Sequence, residues 1–61
     1  MKLYEVPKNT VVIFLGEKLF FDHLDGMYSF CLDEKGNVVH LSAYTDVEIS
    51  EDQNFYWGSW A

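Results

Sequence analysis

The stretch MYSFCLDEKGNVVHLS, residues 27–42, decides the fold class of this chain. Apolar and polar side chains alternate along residues 27–32, as they do in a β-strand with two different faces. The loop-forming sequence DEKGN follows at residues 33–37, and Gly36 suits the left-handed position of a longer hairpin loop. Residues 38–42 then resume the apolar pattern. The stretch therefore predicts a β-hairpin.

Strand-like segments also flank this hairpin. Residues 10–15 (TVVIFL) form a β-branched run whose apolar part is too short for a helix, which favours a buried strand. Residues 16–18 (GEK) interrupt this strand pattern with a glycine, and residues 19–21 (LFF) resume it. In residues 46–50 (DVEIS), apolar and polar side chains alternate again. Five short strands are expected in total.

The connecting segments complete this prediction. Residues 3–6 are expected to be extended, and residues 22–26 (DHLDG) to form a loop. The four residues 42–45 suit a single 3₁₀ turn before the last strand. In that last strand, Val47 and Ile49 are expected to point inward.

This order of elements resembles the SH3-like small barrel, with the resemblance covering about residues 10–50. It implies an all-β fold: a five-stranded SH3-like small barrel over residues 1–50, followed by an acidic and aromatic C-terminal tail over residues 51–61. Closure into a barrel would remove the edges that a flat sheet exposes. The chain lacks the ALYDY-type opening and the third-strand tryptophan of true SH3 domains, so their polyproline-binding activity is not implied.

Composition limits both the size of the core and the kind of partner. The chain has 61 residues, and 49% of them are hydrophobic, which is rich for one small domain. Ten acidic residues face four lysines, and the net charge of −6 disfavours direct binding to nucleic acid or to an anionic membrane. No apolar run approaches the length of a membrane span, and a glutamate, a proline and an asparagine interrupt any signal-peptide core at the N-terminus. We expect a protein of the cytoplasm.

The residues that could carry chemistry do not form a known motif. Asp22, His23 and Asp25 share one predicted loop, and His40 lies on a later strand, but their spacing is not that of a metal site. The lone Cys31 has no partner for a disulfide and is expected to be a buried, inert thiol. We therefore expect no enzyme activity, no cofactor and no metal.

Acidic residues recur in the predicted turns and at the start of the tail. Two interpretations remain open: a solvated rim of turn residues, or an imitation of a DNA phosphate track, which needs carboxylates in two rows. The residues in question are Asp22, Asp25, Asp33, Glu34, Asp46, Glu48, Glu51 and Asp52.

A second resemblance concerns residues 21–49, FDHLDGMYSFCLDEKGNVVHLSAYTDVEI. Their DGMYS turn and strand, the GNVVHL hairpin arm and the aromatic–threonine turn are similar to short uncharacterised proteins of tailed bacteriophages, especially those that infect marine cyanobacteria. This resemblance implies a viral origin and no particular activity.

The tail holds four of the eleven aromatic residues of the chain, including both tryptophans. Such a tail either covers a core too small to stand alone or docks into an apolar groove of another protein while its acids pair with basic residues. The predicted protein-binding residues are Glu51, Asp52, Phe55, Tyr56, Trp57 and Trp60.

Together these features predict a small, non-enzymatic protein-binding module, encoded by a phage and acting by stoichiometric binding. Its partner would be a host or phage protein with a basic or apolar patch, and the tail could also join copies of the chain into a homo-oligomer. The alternative is a structural component of the virion whose aromatic tail packs on a neighbouring subunit. In that case the protein would lie in the virion.

Overall fold

The first two strands form a long antiparallel hairpin. The computed structural model describes residues 1–55, with β1 at Thr10–Phe14 and β2 at Glu17–Asp25. The β-branched run of β1 makes it a strand, as its sequence predicts. Leu15 and Gly16 form the two-residue turn, and both have positive φ (51° and 80°), as a type I′ hairpin requires.

The predicted second hairpin is confirmed. β3 spans Tyr28–Leu32 and β4 spans Val38–Val39, and the two pair in antiparallel fashion. The Asp33 carboxylate accepts the backbone N–H groups of Lys35 and Asn37 at 2.9 and 2.8 Å, so the loop is held by its own first residue.

All five strands belong to one antiparallel sheet, which confirms the all-β fold. β5 spans Glu48–Ile49 and pairs with β1, so the strand order is β4-β3-β2-β1-β5. Within residues 1–55, β4 and β5 are the two edges of the sheet and do not pair with each other. The closed barrel expected from the sequence is therefore not observed, and the sheet is open.

The N-terminal segment departs from the prediction. Residues 3–6 were expected to be extended, but Leu3–Glu5 is a short 3₁₀ helix because the N–H of Val6 bonds back to the Leu3 carbonyl at 3.0 Å. The 3₁₀ turn expected at residues 42–45 is a single hydrogen-bonded turn, closed by the N–H of Thr45 on the carbonyl of Ser42 at 3.0 Å.

These two segments are hydrogen-bonded to each other. The N–H of Leu3 donates to the Thr45 carbonyl at 2.9 Å, and that of Tyr4 donates to the Ala43 carbonyl at 3.0 Å. The N–H of Val47 reaches the Met1 carbonyl at 2.8 Å. The N-terminus therefore lies along the chain that joins β4 to β5.

Strand β2 is longer than the sequence suggested. It continues to Asp25 through the predicted loop, with a β-bulge at Asp22 that shifts its register against β3. A bulge bends the strand and increases its local twist. Residues 23–25, which follow the bulge, are exposed. The expectation for Ile49 was wrong: Val47, just before β5, is buried, but Ile49 lies on the open edge and is 44% exposed.

The core lies on one face of the sheet, beneath the N-terminal segment. Phe21 and Leu3 are its largest fully buried side chains. Val12, Leu19 and Cys31 lie on the three central strands and point into the core. Because side chains alternate along a strand, the residues next to them point to the opposite face of the sheet. We call that opposite side the outer face.

Candidate functional site

The first part of the tail is attached to the sheet. The side-chain amide of Gln53 pairs with the backbone of Val11: its Oε1 accepts the Val11 N–H at 2.8 Å, and its Nε2 donates to the Val11 carbonyl at 2.9 Å. The same Nε2 donates to the carbonyl of Ser50 at 2.6 Å. Gln53 thus extends the pairing of β1 past the end of β5.

Two further contacts hold residues 51–55 against the outer face. The ammonium of Lys18 lies 3.1 Å from the Asp52 carboxylate. The Phe55 ring lies on Phe20, with 5.9 Å between ring centroids. The backbone N–H of Asn54, followed by the Lys18 ammonium, stabilises the ionised form of Asp52 and lowers the pKa of that carboxyl.

The predicted protein-binding residues therefore have different surroundings. Asp52 and Phe55 contact strand β2 of their own chain, while Glu51 is exposed to solvent. The other three residues lie outside residues 1–55 and are Tyr56, Trp57 and Trp60. That these six bind a partner stays a prediction.

Both histidines pack on one aromatic ring of the outer face. The His23 imidazole is stacked on Phe30, with 5.6 Å between centroids and 10° between planes. The His40 ring meets the same phenylalanine edge-on, and its Nδ1 donates to the carbonyl of Ser29 at 2.8 Å. The bulge at Asp22 brings His23 opposite Phe30 in the register. Both imidazoles are thus used in packing.

Two side chains that could act as nucleophiles, Ser29 and Cys31, are buried and occupied. Ser29 Oγ donates to the carbonyl of Leu41 at 2.9 Å and accepts the N–H of the same residue at 3.1 Å. Cys31 Sγ lies 3.3 Å from Ser29 Oγ, and its burial raises the pKa of the thiol. A fully buried thiol with a raised pKa is a poor nucleophile.

Two kinds of site are not found in the part of the chain that the structure describes. No group of three or more histidine, cysteine, aspartate or glutamate side chains within residues 1–55 is arranged to hold a metal ion. Over the same residues, no helix is both long and apolar enough to cross a membrane.

An open cleft lined by two tyrosines lies at the other end of the molecule from the β1–β2 turn. We call it the tyrosine cleft. It has a volume of about 340 Å³. Its lining residues are Tyr4, Leu24, Gly26, Ala43 and Tyr44.

The hydrogen bonds of the N-terminal segment build this cleft. Because the Tyr4 N–H bonds to the Ala43 carbonyl, the Tyr4 and Tyr44 rings meet edge-to-face with 5.7 Å between centroids. The N–H of Ala43 in turn bonds to the Met27 carbonyl at 2.8 Å, which ties this turn to the β2–β3 hairpin. Three segments far apart in sequence thus form one surface.

Large apolar side chains are exposed here. Tyr4 is 51% exposed and Tyr44 58%, and Met27 beside the cleft is 62% exposed. The fold does not require these apolar side chains to be exposed to water. Tyrosine and methionine are enriched at protein interfaces. The tyrosine cleft is therefore a candidate binding surface.

Three acidic residues lie close in sequence to residues that line the cleft. Glu5 adjoins Tyr4, Asp25 adjoins Leu24, and Asp46 lies two residues after Tyr44. All three are exposed. The nearest lysine in sequence, Lys2, is already paired with Asp46 at 3.1 Å.

Sequence reasoning missed the cleft, although a signal was present. Tyr44 and Leu24 lie in segments expected to be turns or loops, where large apolar residues have no core to enter. That placement alone marked them as interface candidates. What no local pattern shows is that the N-terminal Tyr4 joins them.

Comparisons with protein-family models, with curated proteins and with solved structures find no match to this chain.

Proposed function

We propose that this protein is a non-enzymatic protein-binding module that acts by stoichiometric binding, and that the tyrosine cleft is its principal binding surface. One observation carries the proposal: Tyr4 and Tyr44 stand as an exposed pair over an open cleft instead of entering the core. Rigid, amphipathic tyrosine rings supply contact area at a low cost in side-chain entropy.

The arrangement of the polar side chains favours binding over turnover. His23 is stacked on Phe30, and His40 meets the same ring edge-on. Ser29 is hydrogen-bonded to the backbone of Leu41, and the buried Cys31 contacts Ser29. A general base needs hydrogen-bond reach to the group that it activates. Here His40 donates to a backbone carbonyl.

We further propose that the fold is an incompletely closed barrel of the SH3-like type and that the gene is of phage origin. Support for the barrel comes from the strand order, in which β5 returns beside β1. Hydrogen bonds from Leu3 and Tyr4 also tie the N-terminal segment to the chain that joins the two edge strands. The phage origin rests on the likeness of residues 21–49 alone.

The experiment is affinity capture with the full-length protein, its Tyr44→Ala variant and the matched control Tyr28→Ala. Tyr28 is 60% exposed but does not line the cleft. We expect one partner, present at a fixed molar ratio and cross-linked to cleft residues, that is lost with Tyr44→Ala and kept with Tyr28→Ala. Equal capture by all three forms would refute the cleft as the binding surface. Many copies per purified virion would favour the structural alternative.

A further inference from the structure

We propose that residues 56–61 continue across the outer face of the sheet and bind there to their own chain. In this arrangement Trp57 packs on Leu32 of β3. Trp60 packs one strand further along, on Val38 of β4. The tyrosine cleft is not involved, so the proposal goes beyond the proposed function. It rests on a row of apolar side chains, on the order in which the preceding part of the tail meets that row, and on the length of the remaining chain.

A row of apolar side chains crosses four strands on the outer face. Its members are paired across neighbouring strands: Val11 with Phe20, Phe20 with Leu32, and Leu32 with Val38. Directly opposite residues point to the same face, with about 5 Å between their Cβ atoms. Val11 points to the outer face because its neighbour Val12 belongs to the core. All four side chains therefore form one continuous surface, which we call the apolar row.

The described part of the tail follows the apolar row. Gln53 is hydrogen-bonded to the backbone of Val11, the first member. Two residues later, Phe55 contacts Phe20, the second member. The tail thus advances by one strand for every two residues, and residues two apart in an extended chain point to the same side. Trp57 is the next residue in this register, above the β3 member of the row.

The remaining chain is long enough to reach the edge of the sheet. Two strand spacings, about 10 Å in total, separate β2 from β4. The segment 56–61 spans up to about 20 Å when it is extended. Gly58 permits a change of direction between the two tryptophans. Trp60 can therefore pack against the last member of the same row.

Exposure rises along the apolar row in the direction that the tail takes. Val11, where Gln53 is attached, is 1% exposed. Leu32 is partly exposed, and Val38 is 47% exposed. Removing such apolar surface from water is favourable. The tail brings two tryptophans, whose side chains bury a large area on contact, to this more exposed end.

Other occupants fit the apolar row less well than the tail does. A second copy of the chain also carries a net charge of −6, so the two copies repel each other. The tail, in contrast, is already attached to the sheet through Gln53 and Phe55. A short tether gives the next residues a high effective concentration at the surface beside it. A partner that takes Trp57 and Trp60 would have to displace them from the sheet.

The test uses NMR of the ¹³C,¹⁵N-labelled full-length protein. Trp57 and Trp60 are the two tryptophans of the chain, so indole signals report on this segment alone. We expect nuclear Overhauser contacts from the Trp57 indole to the methyl groups of Leu32, and from the Trp60 indole to those of Val38. In a mixture of labelled and unlabelled protein, these contacts should arise within one chain. Contacts that arise only between chains would make a second copy the occupant and overturn the proposal.

Two matched variants test the same surface by fluorescence. Val38 and Ile49 each lie in a two-residue edge strand, and they are 47% and 44% exposed. Only Val38 belongs to the apolar row. We expect Val38→Ser to shift the tryptophan emission to longer wavelength and to increase its quenching by acrylamide, while Ile49→Ser leaves both unchanged. Equal effects of the two variants would contradict binding of the tail to the row.

Two further results would overturn the proposal. Emission and quenching like those of free N-acetyltryptophanamide would show that both indoles are in water. Indole contacts to the tyrosine cleft would place the tail on another surface. The NMR experiment uses the unaltered chain, so it decides the question even where Val38→Ser does not fold. None of these results depends on the affinity capture with Tyr44→Ala, which tests the proposed function separately.

Discussion

The side-chain amide of Gln53 hydrogen-bonds to both the N–H and the carbonyl of Val11, a pattern that a neighbouring strand would otherwise provide. Val11 is 1% exposed, and it lies on the outer face, because its neighbour Val12 belongs to the core. A single side chain of the tail therefore completes the hydrogen bonding of the central hairpin at a buried position.

Replacing Gln53 by alanine should destabilise the protein by about 1–3 kcal/mol, because the buried N–H of Val11 would lose its acceptor. The Val11 carbonyl would keep the N–H of Ser50, which lies 3.0 Å away. Urea unfolding monitored by circular dichroism measures the change. The control is Glu51→Ala, at an exposed position two residues earlier, which should alter stability by less than about 0.5 kcal/mol. Equal effects of the two substitutions would contradict this account.

Two truncations should separate the described part of the tail from the rest. The chain ending at residue 55 keeps Gln53, Asp52 and Phe55 on the sheet, whereas the chain ending at residue 50 loses all three contacts. We expect the shorter form to melt at a clearly lower temperature than the 1–55 form. Differential scanning calorimetry of both, beside the full chain, measures this. Identical melting temperatures for the two truncations would mean that residues 51–55 contribute nothing to folding.

Leu15→Asn should stabilise the protein by about 0.5–1 kcal/mol, because a leucine with φ of 51° sits in a region that asparagine tolerates better. The substitution produces the Asn-Gly pair preferred in type I′ turns and removes a leucine that is 84% exposed. Chemical denaturation provides the measurement. Leu15→Val should destabilise, since a β-branched residue is least tolerant of positive φ. A stability order with valine above asparagine would show that turn geometry does not control this position.

Ser29→Ala should destabilise by about 1–3 kcal/mol, because the Leu41 N–H would lose the hydroxyl that accepts its hydrogen bond. The Leu41 carbonyl keeps the N–H of Ser29 at 2.8 Å, so the cost comes from the orphaned donor. Equilibrium unfolding measures the loss. Faster amide hydrogen exchange confined to residues 40–43 would support the assignment, and an unchanged unfolding midpoint would contradict it.

Acid should weaken the fold through Asp33 and Asp52. Backbone hydrogen bonds from Asn37 and from Asn54, respectively, are the main causes that lower the pKa of these carboxyls below the ordinary value of 3.8. Because the folded pKa is the lower one, the stabilisation is complete above pH 3.8 and is lost as the pH falls through the folded pKa values. Urea midpoints between pH 6 and pH 2 should fall less steeply in the Asp33→Asn, Asp52→Asn double variant. Parallel curves for the two proteins would exclude these residues as the source.

The parts of the fold that the sequence predicts are those set by short-range patterns. The β-branched run of β1 and the DEKGN loop specify their own conformations, and Gly36 has the positive φ expected of it (84°). The prediction failed where contacts between residues far apart in the sequence determine the conformation. Residues 22–25 of the loop expected at 22–26 belong to strand β2 because β3 offers them partners. Ile49 is exposed because nothing pairs beyond β5 in residues 1–55.

The candidate site depends on distant contacts even more strongly. Tyr4 and Tyr44 are forty residues apart in the chain and meet only because the N-terminal segment hydrogen-bonds to the turn after β4. No local sequence pattern predicts this contact. The aromatic content of the tail was visible from the sequence. The attachment of residues 51–55 relies in part on the Gln53 amide, a single polar side chain with no local signature.

The short length of both edge strands affects how the protein behaves at high concentration. An edge strand presents unpaired backbone groups on which another chain can add by strand pairing, which is a common start of aggregation. Here β4 and β5 have two residues each, so an incoming strand would find few hydrogen bonds in register. Glu48 on β5 and the net charge of −6 add repulsion between copies. An open sheet in a chain this rich in aromatic residues can therefore resist strand-by-strand aggregation without closing into a barrel.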